Sequence, residues 1–364
     1  MKKKNFLYFI ILMTILIYLF IETKTAMAAV KEGSMLFFTS VLPSLFPFLV
    51  LSNMFFKLDY AKYMAKIFSP FMSKYFKLSG KGAYPLITSM ISGYPIGSKT
   101  LSEMYLNNQL SFNEANKLIS ICSTPGPIFV IGTVATAFLN LPASGLIILP
   151  SIYMALFIYA RLFFKRENHV FMGSNKQTYK KHYNVGKIFA ESVSNSMDTL
   201  INVLGYIMFF SLIINLMDTT LLTHLDILPF KINMFLSNFI KGIMEMTIGI
   251  KGLSELNFIS APIMIGVITF LLSFGGLCAN MQCISFISNT DLSIGKYLLS
   301  KLSLGLISGG ISYILSFIFL KDATLTFNIG MKIPFMFNLT SSLIFVTVYT
   351  FTLITLITLI KKEI

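Results

Sequence analysis

The stretch SMISGYPIGSKT, Ser89–Thr100, decides how this chain is read. It places Gly93, Pro95 and Gly97, several hydroxyls and Lys99 within twelve residues of a chain otherwise rich in Ile, Leu, Phe and Met. In lipid no water can take up a freed backbone group, so irregular backbone is tolerated at that depth only against protein or a water-filled cavity. Glycine turns freely, and proline removes a donor. The stretch therefore reads as the tip of a re-entrant helical hairpin, reaching the bilayer middle from the cytoplasmic side.

The rest of the chain supports a membrane setting. Of 364 residues, 55% are apolar and only 12% charged, and the mean hydropathy is +0.75. Runs such as Phe6–Ile21, Met35–Phe56, Leu141–Phe164, Leu200–Met217 and Leu339–Ile360 approach or exceed the length that crosses a bilayer. At ~20 residues per crossing the chain has room for roughly eight to ten embedded elements. The net charge of +14 is not spread as on a nucleic-acid binder. Its lysines and arginines gather in two connections, Lys57–Lys81 and Arg161–Lys187, which the positive-inside rule makes cytoplasmic. Cys122, Cys278 and Cys283 form neither a disulfide framework nor a CxxC pair, and His169, His182 and His224 are scattered. No metal site and no cofactor are expected, although a coupling ion such as Na+ or H+ stays open.

The N-terminus combines a basic head, an apolar stretch and the triplet Ala26–Ala28, which suits either a signal peptide or an uncleaved anchor, and the anchor is favoured by its length. The expected divisions are an anchor over 1–34, a first repeat over 35–164, a basic loop over 165–190, a second repeat over 191–320 and a last span over 321–364. Ala61–Leu78 and Asn233–Leu253 space lysines among aromatic and aliphatic residues and read as interfacial amphipathic helices. Each precedes a glycine-interrupted apolar stretch, Ala83–Leu110 and Phe258–Leu292. An offset of 182 pairs Gly93 with Gly275, Asn107 with Asn289, Leu110 with Leu292 and Ser111 with Ser293. The recurrence predicts inverted repeats, as in many secondary transporters, with Leu272–Gln282 as the second hairpin tip. A third break, Cys122–Phe129, contains Pro125-Gly126-Pro127 and pairs at that offset with Leu306–Gly310, where a second broken span is expected.

Charged residues near membrane depth are costly and so informative. Lys99 follows the first tip, with Glu103 one turn on. It meets either a substrate carboxylate or Glu103. Glu245 and Asp198 are candidates to hold a coupling cation or to support a hairpin, and Asp198 serves equally as a cap. No catalytic constellation is present: a Ser98–Lys99 pair points in diverging directions, and GxSxG, HExxH and Walker A stretches are missing. The chain does not read as an enzyme.

LPSLFPFLVLSNMF, SGYPIGSKT, STPGP, EMTIG and SFGG, in this order between about Val41 and Leu320, resemble the motifs of sporulation integral membrane proteins of the YlbJ type. That resemblance implies paired nucleoside-recognition Gate domains and an all-α membrane fold similar to concentrative nucleoside transporters. Each inverted repeat would then hold a re-entrant hairpin and a broken helix. It implies action in a membrane around a developing spore, and movement of dipicolinate, a small aromatic dicarboxylate. By analogy, Ser92, Gly93, Tyr94, Gly97, Ser98 and Lys99, with Thr124 and Gly126, face Ser273, Gly275, Gly276 and Asn280 around the substrate. A nucleoside site would instead draw on Asn280, Gln282 and Glu245. The expected partners are a small anion and the bilayer, with a homo-oligomer or other sporulation membrane proteins left open. A scaffold that assembles spore-envelope proteins without transport is the reading from another class.

Overall fold

The computed structural model describes residues 3–58, 60–164, 184–220 and 228–320, and those residues form helices without strands. Most of the basic loop expected over 165–190 and the whole span expected over 321–364 lie outside the described residues. Five helical stretches are long and apolar enough to cross a bilayer: Thr23–Lys57, Pro142–Phe163, Val185–Thr220, Ala261–Ile287 and Ile294–Phe319. Large apolar side chains such as Leu51, Leu162, Leu299 and Phe319 stay exposed on these helices. That fits surfaces facing lipid, where exposing Leu or Phe carries no penalty.

The chain begins with α1 (Lys3–Ile21), then α2 (Thr23–Leu36), a π-helical turn at Phe37–Val41, and α3 (Leu42–Lys57). The first crossing therefore starts twelve residues before Met35, because Thr23–Leu36 continues the helix rather than forming a loop. The amphipathic stretch is helical as expected, with α4 (Ala61–Phe71) running into a π turn at Met72–Phe76. Next come α5 (Ala83–Ser92) and α6 (Ile96–Leu106), separated by Gly93-Tyr94-Pro95. They fold back on each other, bringing Gly97 of α6 against the Ser89 side chain of α5. The chain thus reverses between two helices at the glycine and proline that the sequence places there.

The helix α7 (Phe112–Ile119) leads into irregular backbone over Ser120–Gly126 and then a π-helical segment, Phe129–Phe138. Pro125 and Pro127 explain the interruption, since neither can donate to the preceding turn. The long helices α8 (Pro142–Phe163) and α9 (Val185–Thr220) follow.

The second half differs from the sequence expectation. The stretch read as an interfacial helix is itself a hairpin, α10 (Phe230–Met244) and α11 (Met246–Ser254), broken at Glu245. Its arms run antiparallel in close contact: a side chain at Gly249 would overlap the backbone of Gly242, and one at Gly252 would overlap Asn238. Conversely, α12 (Ala261–Phe274) and α13 (Gly276–Ile287) do not fold back. They form one 27-residue apolar crossing interrupted at Gly275, in which α12 lies along α14 (Ile294–Phe319) while α13 packs on α6 and α9. The Leu306–Gly310 stretch is unbroken helix within α14.

The misplacement has a physical cause. At an offset of 182, Ser111 and Ser293 align because both are N-caps, each side chain accepting from a backbone N–H three residues on. Any turn entering a helix selects such residues. A register that pairs the two hairpins is instead marked by Ile96-Gly97 in α6 and Ile248-Gly249 in α11, an offset of 152. Hairpin, broken span and long span then recur in the same order in both halves.

Candidate functional site

The breaks meet. Gly93 has φ +84° and ψ −169°, a conformation closed to other residues, and its missing side chain lets the first hairpin tip touch the amide of Gly126 in the first broken span. In the second half, Gly276 at the start of α13 lies against Met246 and the carbonyl of Gly242 at the second hairpin tip. Tyr94 joins the two halves. Its hydroxyl donates to the Leu272 carbonyl in the last turn of α12, and its ring lies against Gly275.

Between these breaks is a narrow, partly open cavity of about 40 Å³. Tyr94, Gly126, Glu245 and Gln282, all expected site residues, line it together with Ser44, Pro125, Met246, Thr247 and Ala279. Apolar walls come from Val41 and Leu45 of the first crossing, Phe129 after the first break, and Val203 and Ile207 of α9. An apolar chamber with a few convergent polar groups is the usual form of a small-molecule site. Glu245 is 3% exposed and caps α11, accepting from the Ile248 N–H at 2.7 Å. The Gln282 amide donates to Cys278 Sγ at 3.4 Å, a weak partner.

The other expected residues take places around the cavity rather than on its wall. Ser92 bonds Ser52 at 2.9 Å, and Ser98 bonds Ser123 at 2.7 Å. Thr124 donates to the Ser89 carbonyl at 3.0 Å, holding the first break to α5. Gly97 packs against the Cys122 carbonyl, and Ser273 is buried at the end of α12. Asn280 bridges the second break: its amide donates to the carbonyls of Phe274 and Gly276, and its oxygen accepts from Tyr297. The amide is thereby occupied in stitching α12 to α13.

Lys99 turns outward from this centre. Its ammonium donates to Thr199 of α9 at 3.1 Å, and among the described residues it forms no ion pair with Glu103, which is half-buried on the same helix. Asp198 is exposed on α9. Two residues that the sequence reading passed over stand nearer the centre. Lys301 and Tyr297, both at or below 1% exposed, project from α14 toward the breaks. A lysine inside the apolar run of α14 was a legible signal, since such a charge is rarely placed there idly.

A family model described as Gate, nucleoside recognition, matches residues 38–155, from the first crossing through the first hairpin and broken span into α8. The sporulation integral membrane protein YlbJ of Bacillus subtilis is 27% identical over 309 residues, covering 76% of this chain and 74% of that protein. The chain is a relative of YlbJ. No solved structure matches it. Like that relative, it is an integral membrane protein, and its matched Gate segment contains Tyr94 and Gly126 of the cavity.

Proposed function

We propose that the chain is a secondary transporter that moves a small anionic metabolite, with dipicolinate the first candidate, by alternating access around the cavity between its four chain breaks. One observation carries the reading: both hairpin tips and both broken spans converge on a single chamber within the transmembrane bundle. Broken helices around a midplane site are a transporter device, because half-helix N-termini and unwound backbone bind solute without disturbing the outer bundle. The order of hairpin, broken span and long span in each half supports inverted repeats that rock against each other. While the start at Met246 is already capped by the Glu245 carboxylate, the anion is supported by the helix starts after Gly126 and at Gly276, whose free N–H groups favour negative charge. It is supported too by the implication of the YlbJ-type resemblance, which also suggests a membrane around a developing spore.

A second reading has its own support. Glu245 and Gln282 are the strongest polar groups on the cavity wall, and a carboxylate with an amide suits a neutral, donor-rich solute such as a nucleoside. Thermal unfolding of the purified protein, with dipicolinate or uridine added, separates the two. Stabilisation by dipicolinate, weakened in Gly126→Leu, is expected. Stabilisation by uridine alone transfers the proposal to neutral solutes.

A further inference from the structure

Lys301 is the one fully buried lysine among the described residues, 1% exposed, about two turns into the apolar helix α14. A charge removed from water needs compensation, and a carboxylate is the usual source. The ion pairs among the described residues join Lys57 and Lys187 to Glu191 and Lys241 to Asp218, and none reaches Lys301. Its partners are of another kind. The ammonium donates to the carbonyl of Ser123, freed by the first break, and sits 5.2 Å from the centre of the Tyr94 ring. The Ser123 hydroxyl that flanks the same carbonyl bonds Ser98 of the first hairpin. Tyr94 in turn donates its hydroxyl to Leu272 at the second break.

The ammonium's partners are thus a carbonyl and a π face at the junction of a hairpin tip and an unwound span. Such groups attract a monovalent cation, and unwound carbonyls in broken-helix transporters are where coupling ions settle. We infer that the Lys301 ammonium is a tethered cation filling that position, so that the junction of the first hairpin with the first broken span closes without a dissociable Na+ or K+. A primary ammonium is a compact point charge on a long stem, able to do this where a planar guanidinium would not fit the same cage. The consequence for transport, independence of external Na+, rests on the transporter reading. The cage itself does not, and its test uses no transport.

The test is thermal unfolding of the purified full-length protein in NaCl, KCl or choline chloride at constant ionic strength, for the wild type, Lys301→Ala and Lys301→Met. The wild type is expected to unfold at the same temperature in all three salts. Lys301→Ala opens the cage and is expected to unfold ~3 °C or more higher in NaCl or KCl than in choline chloride, the shift of a site that binds the folded state only. Lys301→Met fills the space without charge, and is expected to be less stable than the wild type in every salt. Any of three results overturns the inference: a wild type stabilised by Na+ or K+, a folded Lys301→Ala indifferent to the cation, or a Lys301→Met as stable as the wild type. Should Lys301→Ala fold only when Na+ or K+ is supplied, the inference stands.

Discussion

Gly93→Ala should separate the first hairpin tip from the first broken span. The new methyl would stand 2.7 Å from the amide nitrogen and 3.2 Å from the Cα of Gly126. Both are backbone atoms, so no rotamer change relieves the clash. The backbone angles at Gly93, φ +84° and ψ −169°, add strain of about 1–3 kcal/mol for a residue with a Cβ. Overpacking a tight contact contributes a further ~1–3 kcal/mol. Together these give a loss of about 2–6 kcal/mol if the tip stays in place. The alternative is a tip displaced from Gly126, which deforms the cavity wall. Unfolding in detergent, followed by circular dichroism against temperature or SDS, reads the loss directly. Gly310→Ala is the control, since nothing lies within 4 Å of a side chain there and alanine is the better helix former by up to ~1 kcal/mol. If Gly93→Ala unfolds with Gly310→Ala or above it, the close contact between tip and break does not exist as described.

Further outcomes follow from the same geometry. Tyr94→Phe keeps the ring beside Lys301 but leaves the Leu272 carbonyl without its donor, and should cost about 1–3 kcal/mol in the same unfolding assay. Glu245→Ala removes the cap on α11 and should lose about 0.5–2 kcal/mol, while Glu245→Gln, which still accepts from Ile248, should lose less. Calorimetric titration of Glu245→Gln should also show tighter dipicolinate binding, because a negative charge leaves the cavity wall. The Lys241–Asp218 pair, 2.9 Å apart but partly exposed on both sides, should show a coupling of no more than about 1 kcal/mol in a double-mutant cycle.

The first half of the fold was legible because its signals were local. Gly93 and Pro95 stand two residues apart and interrupt the helix between them, and Pro125-Gly126-Pro127 cannot continue one. The second half was misread because its breaks are chemically quieter. Glu245 interrupts the chain as an N-cap, with no proline, and its hairpin shows in sequence only as small residues at Gly242, Gly249 and Gly252 that permit close helix contact. The glycine-rich Leu272–Gln282 stretch looked more like a tip, yet it is a kinked crossing. Gly305 and Gly309, by contrast, serve packing against α12 within a straight helix, which their residue type alone does not distinguish from a break.

The site followed the same division. Tyr94, Gly126 and Glu245 reached the cavity wall because each stands in a break, and Gln282 because it lies on the same face about two turns beyond one. Lys99 looked the better cation from its position after the tip. In the folded chain the helical period turns it toward α9, and Lys301 takes the inward place from a helix remote in sequence. Which of two lysines faces a junction depends on the packing of α14 against α8 and α12, and no local pattern encodes it.

On the proposed function, solute passes through the chamber where the four breaks meet. Uptake of labelled dipicolinate beside uridine, by purified protein in liposomes, tests it most directly, with Gly126→Leu as the blocked form and Gly310→Ala as the neutral one. Saturable dipicolinate uptake is expected in the wild type and in Gly310→Ala, and its loss in a folded Gly126→Leu. Folded, correctly inserted protein that moves neither solute, or a Gly126→Leu that transports as the wild type does, would contradict it.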